Sequence, residues 1–123
     1  IGEAFHITSE ETLTWNQIYQ TLARAAGVQA NIVHIPSDFI AAIDANLGAS
    51  LLGDKSHSVI FDNSKIRQFV PGFHAEIPFA RGAEEIVAWF AADKTRQVVD
   101  GRIERILDDV LMAWQVAMGG RKA

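Results

Sequence analysis

The stretch from Val59 to Phe73 (VIFDNSKIRQFVPGF) constrains the fold more than any other part of the chain. It opens with three apolar residues, two of them β-branched, which is typical of a short strand. Asp62 or Asn63 then provides an N-cap for a helix over Ser64–Phe69, and Pro71-Gly72 ends that helix. The stretch therefore predicts a strand, a cap and one short helix in close succession.

The N-terminal part of the chain predicts a parallel β-α-β unit. Phe5 and Ile7 alternate with smaller or polar residues, which indicates a strand. A capping-box pattern over residues 14–17 begins a helix, and Gly27 ends it. A second apolar strand follows over residues 31–36. Because a helix between two strands of one sheet makes a right-handed crossover, we expect these strands to be parallel.

The rest of the chain predicts mainly helices, over residues 37–46, 81–92 and 95–118, with a short helical turn at 49–53 and an extended piece at 77–79. The last helix is amphipathic, with one apolar stripe formed by Val99, Ile103, Ile106, Val110, Leu111 and Trp114. We therefore expect a mixed, helix-rich α/β fold: a small parallel β-α-β unit with flanking helices and a long C-terminal helix, but no complete Rossmann domain. Residues 1–93 would form one lobe, and residues 94–123 a helical extension packed on it.

Composition excludes several classes of protein. The formal net charge of -4 argues against a general nucleic-acid binder and against a protein that binds anionic membranes. The absence of cysteine excludes disulfides, thiol nucleophiles and thiolate metal sites. No long apolar run or signal-peptide pattern is present, so we expect a cytoplasmic protein without membrane or nucleic-acid partners. Because residue 1 is Ile, both a processed protein and a fragment of a longer chain stay open.

Motifs for the commonest catalytic chemistries are missing. No GxGxxG or GxxxxGK[ST] motif exists that could bind a dinucleotide or nucleotide phosphate. Tyr19 is the only tyrosine, and Ala23 stands where a short-chain dehydrogenase has its lysine. The four histidines show no paired metal-ligand spacing, and no GxSxG elbow is present. We therefore assign no catalytic, cofactor-binding or metal-binding residue to this chain, and a small hydrolase or metalloenzyme is the weakest alternative.

A polar loop follows Gly53. Its lysine and histidine offer positive charge and its two serines offer hydroxyl donors, a combination that can bind a phosphate or another anion. A solvated loop without a ligand is the alternative. We assign candidate substrate contacts to Asp54, Lys55, Ser56, His57 and Ser58.

A second candidate group lies just beyond the apolar run. Asp62 and Asn63 are expected to fix the turn before the short helix, and Lys65 is expected to be a surface or structural charge. We assign positioning roles to these three residues, because a correctly held turn aids catalysis without any proton passing through it.

Several short motifs occur in a fixed order along residues 2–93. They are Gly2-x-x-Phe5-x-Ile7-Thr8, Leu13-Thr14-Trp15, Ala26-Gly27, Val33-His34-Ile35-Pro36, Gly53-Asp54, Phe61-Asp62-Asn63-Ser64-Lys65 and Trp89-Phe90. In this order and spacing they resemble the C-terminal, substrate-binding lobe of the NAD-dependent epimerase/dehydratase family, the extended short-chain dehydrogenases. The final helix lies outside the resemblance.

The resemblance implies a division of labour. A missing N-terminal Rossmann domain of the same protein would hold NAD or NADP and supply the catalytic Tyr and Lys. This chain would close over a small-molecule substrate, sugar-like or another hydroxyl or carbonyl compound, which reacts by hydride transfer. The fragment alone would therefore bind no cofactor and would be inactive.

Two departures from the family pattern bear on the substrate. Leu51-Leu52 stand where nucleotide-sugar members often carry an arginine before the Gly-Asp pair, and an insertion lengthens the region between Pro36 and Gly53. Lys55 and His57 are the nearest cations instead. The alternative from another class is a stand-alone protein-interaction or oligomerisation module, for example a homodimer through exposed apolar surface.

Overall fold

All regular elements of the structure are helical. The computed structural model describes residues 2–119, and within this range no strand or sheet is present. The α-helices are α1 (Trp15–Ala25), α2 (Ser37–Ile43), α3 (Ala45–Leu52), α4 (Ser64–Phe69), α5 (Phe79–Ala91) and α6 (Gly101–Ala117). Two short 3₁₀ helices cover Asp54–Ser56 and Lys94–Arg96. The prediction of an α/β fold with a parallel β-α-β unit is therefore wrong.

The predicted strands do not form. Residues 2–9, 31–36 and 57–63 are neither helical nor paired. A strand is stable only when its backbone groups bond to a neighbouring strand, and local alternation of apolar residues does not supply that neighbour. Several of their apolar side chains stay exposed: Ile7 is 69% exposed and Ile60 is 75% exposed.

The chain divides into two compact units. Unit 1 consists of residues 1–31 and 59–96, and unit 2 of residues 32–58 and 97–123. The two segments that we predicted to pair as parallel strands largely fall in different units. The proposed boundary at residue 93 stays a prediction.

Unit 1 is built on the packing of α1 against α5. The predicted capping box begins α1: the Thr14 hydroxyl accepts from the Gln17 N–H at 3.3 Å, and the Gln17 side chain accepts from the Thr14 N–H at 2.8 Å. Gly27 follows the helix with a φ of 69°, which favours glycine. Among the described residues of this unit, Ala83 of α5 and Ile66 of α4 are the buried apolar ones.

Unit 2 is built on α2, α3 and α6. The helix predicted over residues 37–46 is two helices, because the Asp44 carboxylate accepts from the Leu47 N–H at 2.7 Å and starts α3 anew. Gly48 of α3 is buried. In α6, Val110 is buried and Trp114 contacts Phe39 edge to face, with ring centroids 5.0 Å apart.

Few apolar side chains are fully buried. Ile66, Ala83 and Val110 are the buried apolar residues of the part of the chain that the structure describes. The chain exposes 9963 Å², whereas two separate compact bodies of half its mass would expose about 7,900 Å² together. None of the described helices is long and apolar enough to cross a membrane.

Candidate functional site

The predicted site residues fall into two groups, one in each unit. The polar loop, Asp54–Ser58, belongs to unit 2 and begins as a single 3₁₀ turn. Within it the Ser56 hydroxyl donates to the Gly53 carbonyl at 2.6 Å. The side chains of its other four residues make no hydrogen bond or ion pair with the described part of the chain, and all are exposed. They are therefore free to meet a ligand.

The second group belongs to unit 1, and its first member is Asp62. Its carboxylate accepts from the Ser64 hydroxyl at 2.6 Å and from the Ser64 N–H at 2.9 Å, just where α4 begins. These hydrogen bonds, the hydroxyl first, hold the pKa of Asp62 below its ordinary value of 3.8. The carboxylate is thus engaged in local structure.

Asn63 is the most buried polar side chain that the structure describes, at 3% exposure. Its Nδ2 donates to the Thr8 carbonyl at 2.8 Å and to Glu10 Oε1 at 2.9 Å, while its Oδ1 accepts from the Thr8 N–H at 3.3 Å. One side-chain amide thereby satisfies both backbone groups of Thr8, as a neighbouring strand would. These hydrogen bonds hold the N-terminal segment, residues 2–12, without a sheet.

Lys65 holds the beginning of the same segment. Its Nζ donates to the Ala4 carbonyl at 2.9 Å, pairs with Glu3 Oε2 at 2.7 Å and lies 5.0 Å from the centroid of the Phe5 ring. A cation at this distance from an aromatic face is attracted to it. Three contacts from one side chain therefore fix residues that are far from it in sequence.

Two carboxylates next to each other complete the network and were missed from the sequence. Glu10 accepts from Asn63 and from Arg67, and these hydrogen bonds, in that order, hold its pKa below the ordinary value of 4.5. Glu11 Oε2 accepts from the Phe79 N–H at 2.6 Å, at the first turn of α5. In the sequence, two adjacent acidic residues just before α1 were the available signal for this network. Their bonding partners are remote in sequence, so the signal did not identify them.

A cavity of about 290 Å³ in unit 1 adjoins this network. One wall is polar and comes from residues 8–12, and the other is apolar and comes from Val59–Phe61 with Leu13, Ile18 and Phe79. None of the predicted site residues lines it. Asn63 nevertheless holds the polar wall in place through Thr8 and Glu10.

The chemistry available at these places is binding. Carboxylates and hydroxyls accept or donate hydrogen bonds, and Lys55 and His57 offer cationic or donor groups in the polar loop. No group of three or more metal-ligating side chains occurs among residues 2–119. Hydrogen bonds hold the pKa values of Glu10, Asp62 and Asp93 below their ordinary values, as expected for hydrogen-bonded carboxylate anions.

Comparison with known proteins adds no relative: no family model, curated protein or solved structure matches this chain. The function is therefore inferred from the sequence motifs and from the geometry of the two groups of candidate residues.

Proposed function

We propose that this chain is the C-terminal, substrate-binding portion of an NAD(P)-dependent oxidoreductase of the epimerase/dehydratase type. Its substrate is a sugar-like or other hydroxyl or carbonyl compound. NAD or NADP binds mainly to a Rossmann domain of the same protein, which also supplies the catalytic Tyr and Lys. This chain is inactive without that domain.

The observation that carries the proposal is the contact between two of the motifs that resemble this family. The motif over residues 2–8 and the motif over residues 61–65 are far apart in sequence, yet Asn63 bonds Thr8 and Lys65 bonds Ala4. Motif residues that do not belong to one structural element need not be in contact in the fold. Their contact supports the interpretation of both as parts of one structural element.

The exposed apolar surface of unit 1 supports a partner domain. Ile7, Val59, Ile60 and Phe61 are all more than half exposed, and they lie on segments that are neither helical nor paired as strands. Contiguous exposed apolar residues favour a protein interface because their burial releases ordered water. The large total surface of the chain has the same explanation.

The polar loop is the part that we assign to the substrate. Lys55 and His57 are exposed and unbonded within the described chain, so no internal contact must break when they bind an anionic or hydroxylated ligand. Asp62, Asn63 and Lys65 keep positioning roles in unit 1.

The first experiment uses the coding sequence. Its upstream part should encode a Gly-rich β-α start about 150 to 200 residues before residue 1. The longer enzyme should reduce NAD or NADP with a panel of sugar nucleotides and simpler alcohols. The 123-residue chain alone should neither bind NAD(H) in isothermal titration nor turn over. Micromolar NAD(H) binding to the isolated chain, or an upstream sequence without a dinucleotide-binding pattern, would refute the proposal.

The second experiment locates the substrate contact in the longer enzyme. Replacing Lys55 and His57 of the polar loop together, Lys55→Ala with His57→Ala, should raise KM about tenfold, because two ligand contacts are lost. Lys94→Ala is the matched control, since Lys94 is an exposed lysine in unit 1. An unchanged KM in the double variant would remove the substrate role from the loop.

A further inference from the structure

Helix α6 has a second face that unit 2 does not cover. Val110 and Trp114 lie on the packed side of the helix. On the other side, residues spaced alternately three and four apart form a row, which we call the α6 seam: Arg102, Arg105, Asp109, Met112 and Val116. This spacing is that of the contact positions of a coiled coil. Every residue of the α6 seam is exposed.

The charges of the α6 seam are ordered along the helix. Its arginines come first, the aspartate follows, and the apolar Met112 and Val116 come last. In two parallel copies in register, each arginine would face an arginine and each aspartate would face an aspartate. Two antiparallel copies, related by a two-fold axis at the level of Leu107, place Arg105 of each copy opposite Asp109 of the other. The charge order therefore favours antiparallel association of the helix with itself.

The apolar end of the α6 seam is strongly exposed as well. Val116 is 76% exposed and Met112 is 60% exposed. In the antiparallel arrangement this apolar end of one copy lies beside the first turns of α6 in the other copy, which would cover it.

A groove lies along the C-terminal part of the seam. Its volume is about 540 Å³, and it is lined by Phe39, Asp109, Met112, Ala113, Val116 and Ala117. In the antiparallel arrangement the beginning of the partner's α6 approaches this groove. The methylene stem of Arg102 can cover Met112 there while its guanidinium stays in water.

We propose that the protein associates with a second copy of itself through the α6 seam, as an antiparallel two-fold pair. This proposal is independent of the proposed function, since it uses no candidate site residue and requires no cofactor domain. The partner is a second copy because the α6 seam contains both the positive and the negative charge, Arg105 and Asp109, that the antiparallel arrangement pairs. An unrelated protein domain on this face has no reason to respond to compensating changes at Arg105 and Asp109.

The test measures association of the full chain by sedimentation velocity over a wide range of concentrations. The wild type should show a monomer–dimer equilibrium. Arg105→Asp and Asp109→Arg should each weaken it about tenfold, because each places like charges opposite one another at two symmetric positions. The double variant with both changes should dimerise as the wild type does. The two single variants should also pair with each other when mixed.

Glu104→Arg is the matched control, an acidic-to-basic change on the same helix but outside the seam, and it should leave association unchanged. Circular dichroism of each variant checks that α6 is still formed. A chain that is monomeric at every concentration overturns the proposal. So does a dimer that ignores the single reversals, or one that the double reversal fails to restore, because either result assigns the contact to another surface.

Discussion

The contacts that stabilise unit 1 internally differ from those that stabilise unit 2. In unit 1, polar side chains bind remote backbone: Asn63 binds both backbone groups of Thr8, and Lys65 binds the carbonyl of Ala4. In unit 2, helices approach one another closely, with Gly48 of α3 against Ala41 of α2. The N-terminal segment of unit 1 therefore depends on hydrogen-bond geometry, whereas the α2–α3 pair of unit 2 depends on the close approach of two helices.

This difference also separates the two groups of candidate residues. Asp62, Asn63 and Lys65 look like site residues in the sequence, but their polar atoms are occupied by contacts within unit 1. Lys55 and His57 of unit 2 make no such contacts in the described chain. The type of a polar residue alone does not show whether it stabilises the fold or binds a ligand. The hydrogen bonds and ion pairs that it makes within the protein do show this.

The largest effect is expected from added volume in unit 2. In Gly48→Ala the new Cβ would overlap both the Cβ and the Cα of Ala41. Because part of that contact is backbone, α2 and α3 must move apart, and we expect the free energy of unfolding to fall by about 3 kcal/mol. Urea denaturation followed by circular dichroism measures the change.

Gly82→Ala in α5 is the matched control for that change. No atom beyond the helix's own backbone lies within 4 Å of a Cβ built at Gly82. Alanine is also the better helix former, so this variant should keep or gain stability, by up to about 1 kcal/mol. Equal losses in both variants would show that the close approach of α2 and α3 is not what holds unit 2.

A smaller loss is expected from removing the central hydrogen bonds of unit 1. Asn63→Ala leaves the N–H and the carbonyl of Thr8 without their partner in a partly buried place. We expect the free energy of unfolding to fall by about 2 kcal/mol. Hydrogen exchange at the Thr8 amide should accelerate as well, which connects the loss to this contact.

Ser58→Ala serves as the control for Asn63→Ala. Ser58 is a small polar residue of the exposed loop in unit 2, and its replacement should change stability by less than about 0.5 kcal/mol. If Asn63→Ala costs no more than this control, the side-chain amide is not what holds the N-terminal segment.

Local signals made several helices predictable. The capping box at Thr14 and the glycine at Gly27 lie within or beside α1, so its extent could be inferred and is confirmed. Two aspartates moved other boundaries. Asp44 starts α3 within a predicted helix, and Asp100, which accepts from the Arg102 N–H at 2.9 Å, starts α6 later than the predicted Thr95. Both are ordinary N-caps that the apolar pattern concealed.

Remote contacts were not predictable from one sequence. The alternation at Phe5 and Ile7 predicted a strand, and that prediction is wrong, because a strand needs a partner elsewhere in the chain. Here the partner is the side chain of Asn63. Glu10 escaped notice for the same reason, because its role follows from Asn63 and Arg67 across more than fifty positions of sequence.

The smallest expected effect concerns pH and unit 1. Hydrogen bonds from Asn63 and then Arg67 hold the pKa of Glu10 below 4.5 in the folded protein. A carboxyl group with a lowered folded pKa adds stability above its unfolded pKa and loses it as the pH falls through the folded value. Urea midpoints should therefore fall less steeply for Glu10→Gln than for the wild type, from neutral pH to about pH 3.

Glu76→Gln separates this contribution from general acid sensitivity. Glu76 is exposed and makes no hydrogen bond or ion pair with the described residues, so its variant should follow the wild-type pH curve. Some acid sensitivity must remain in Glu10→Gln, because Ser64 and Thr95 also lower the pKa values of Asp62 and Asp93. Identical pH curves for both variants would mean that Glu10 adds no pH-dependent stability to the protein.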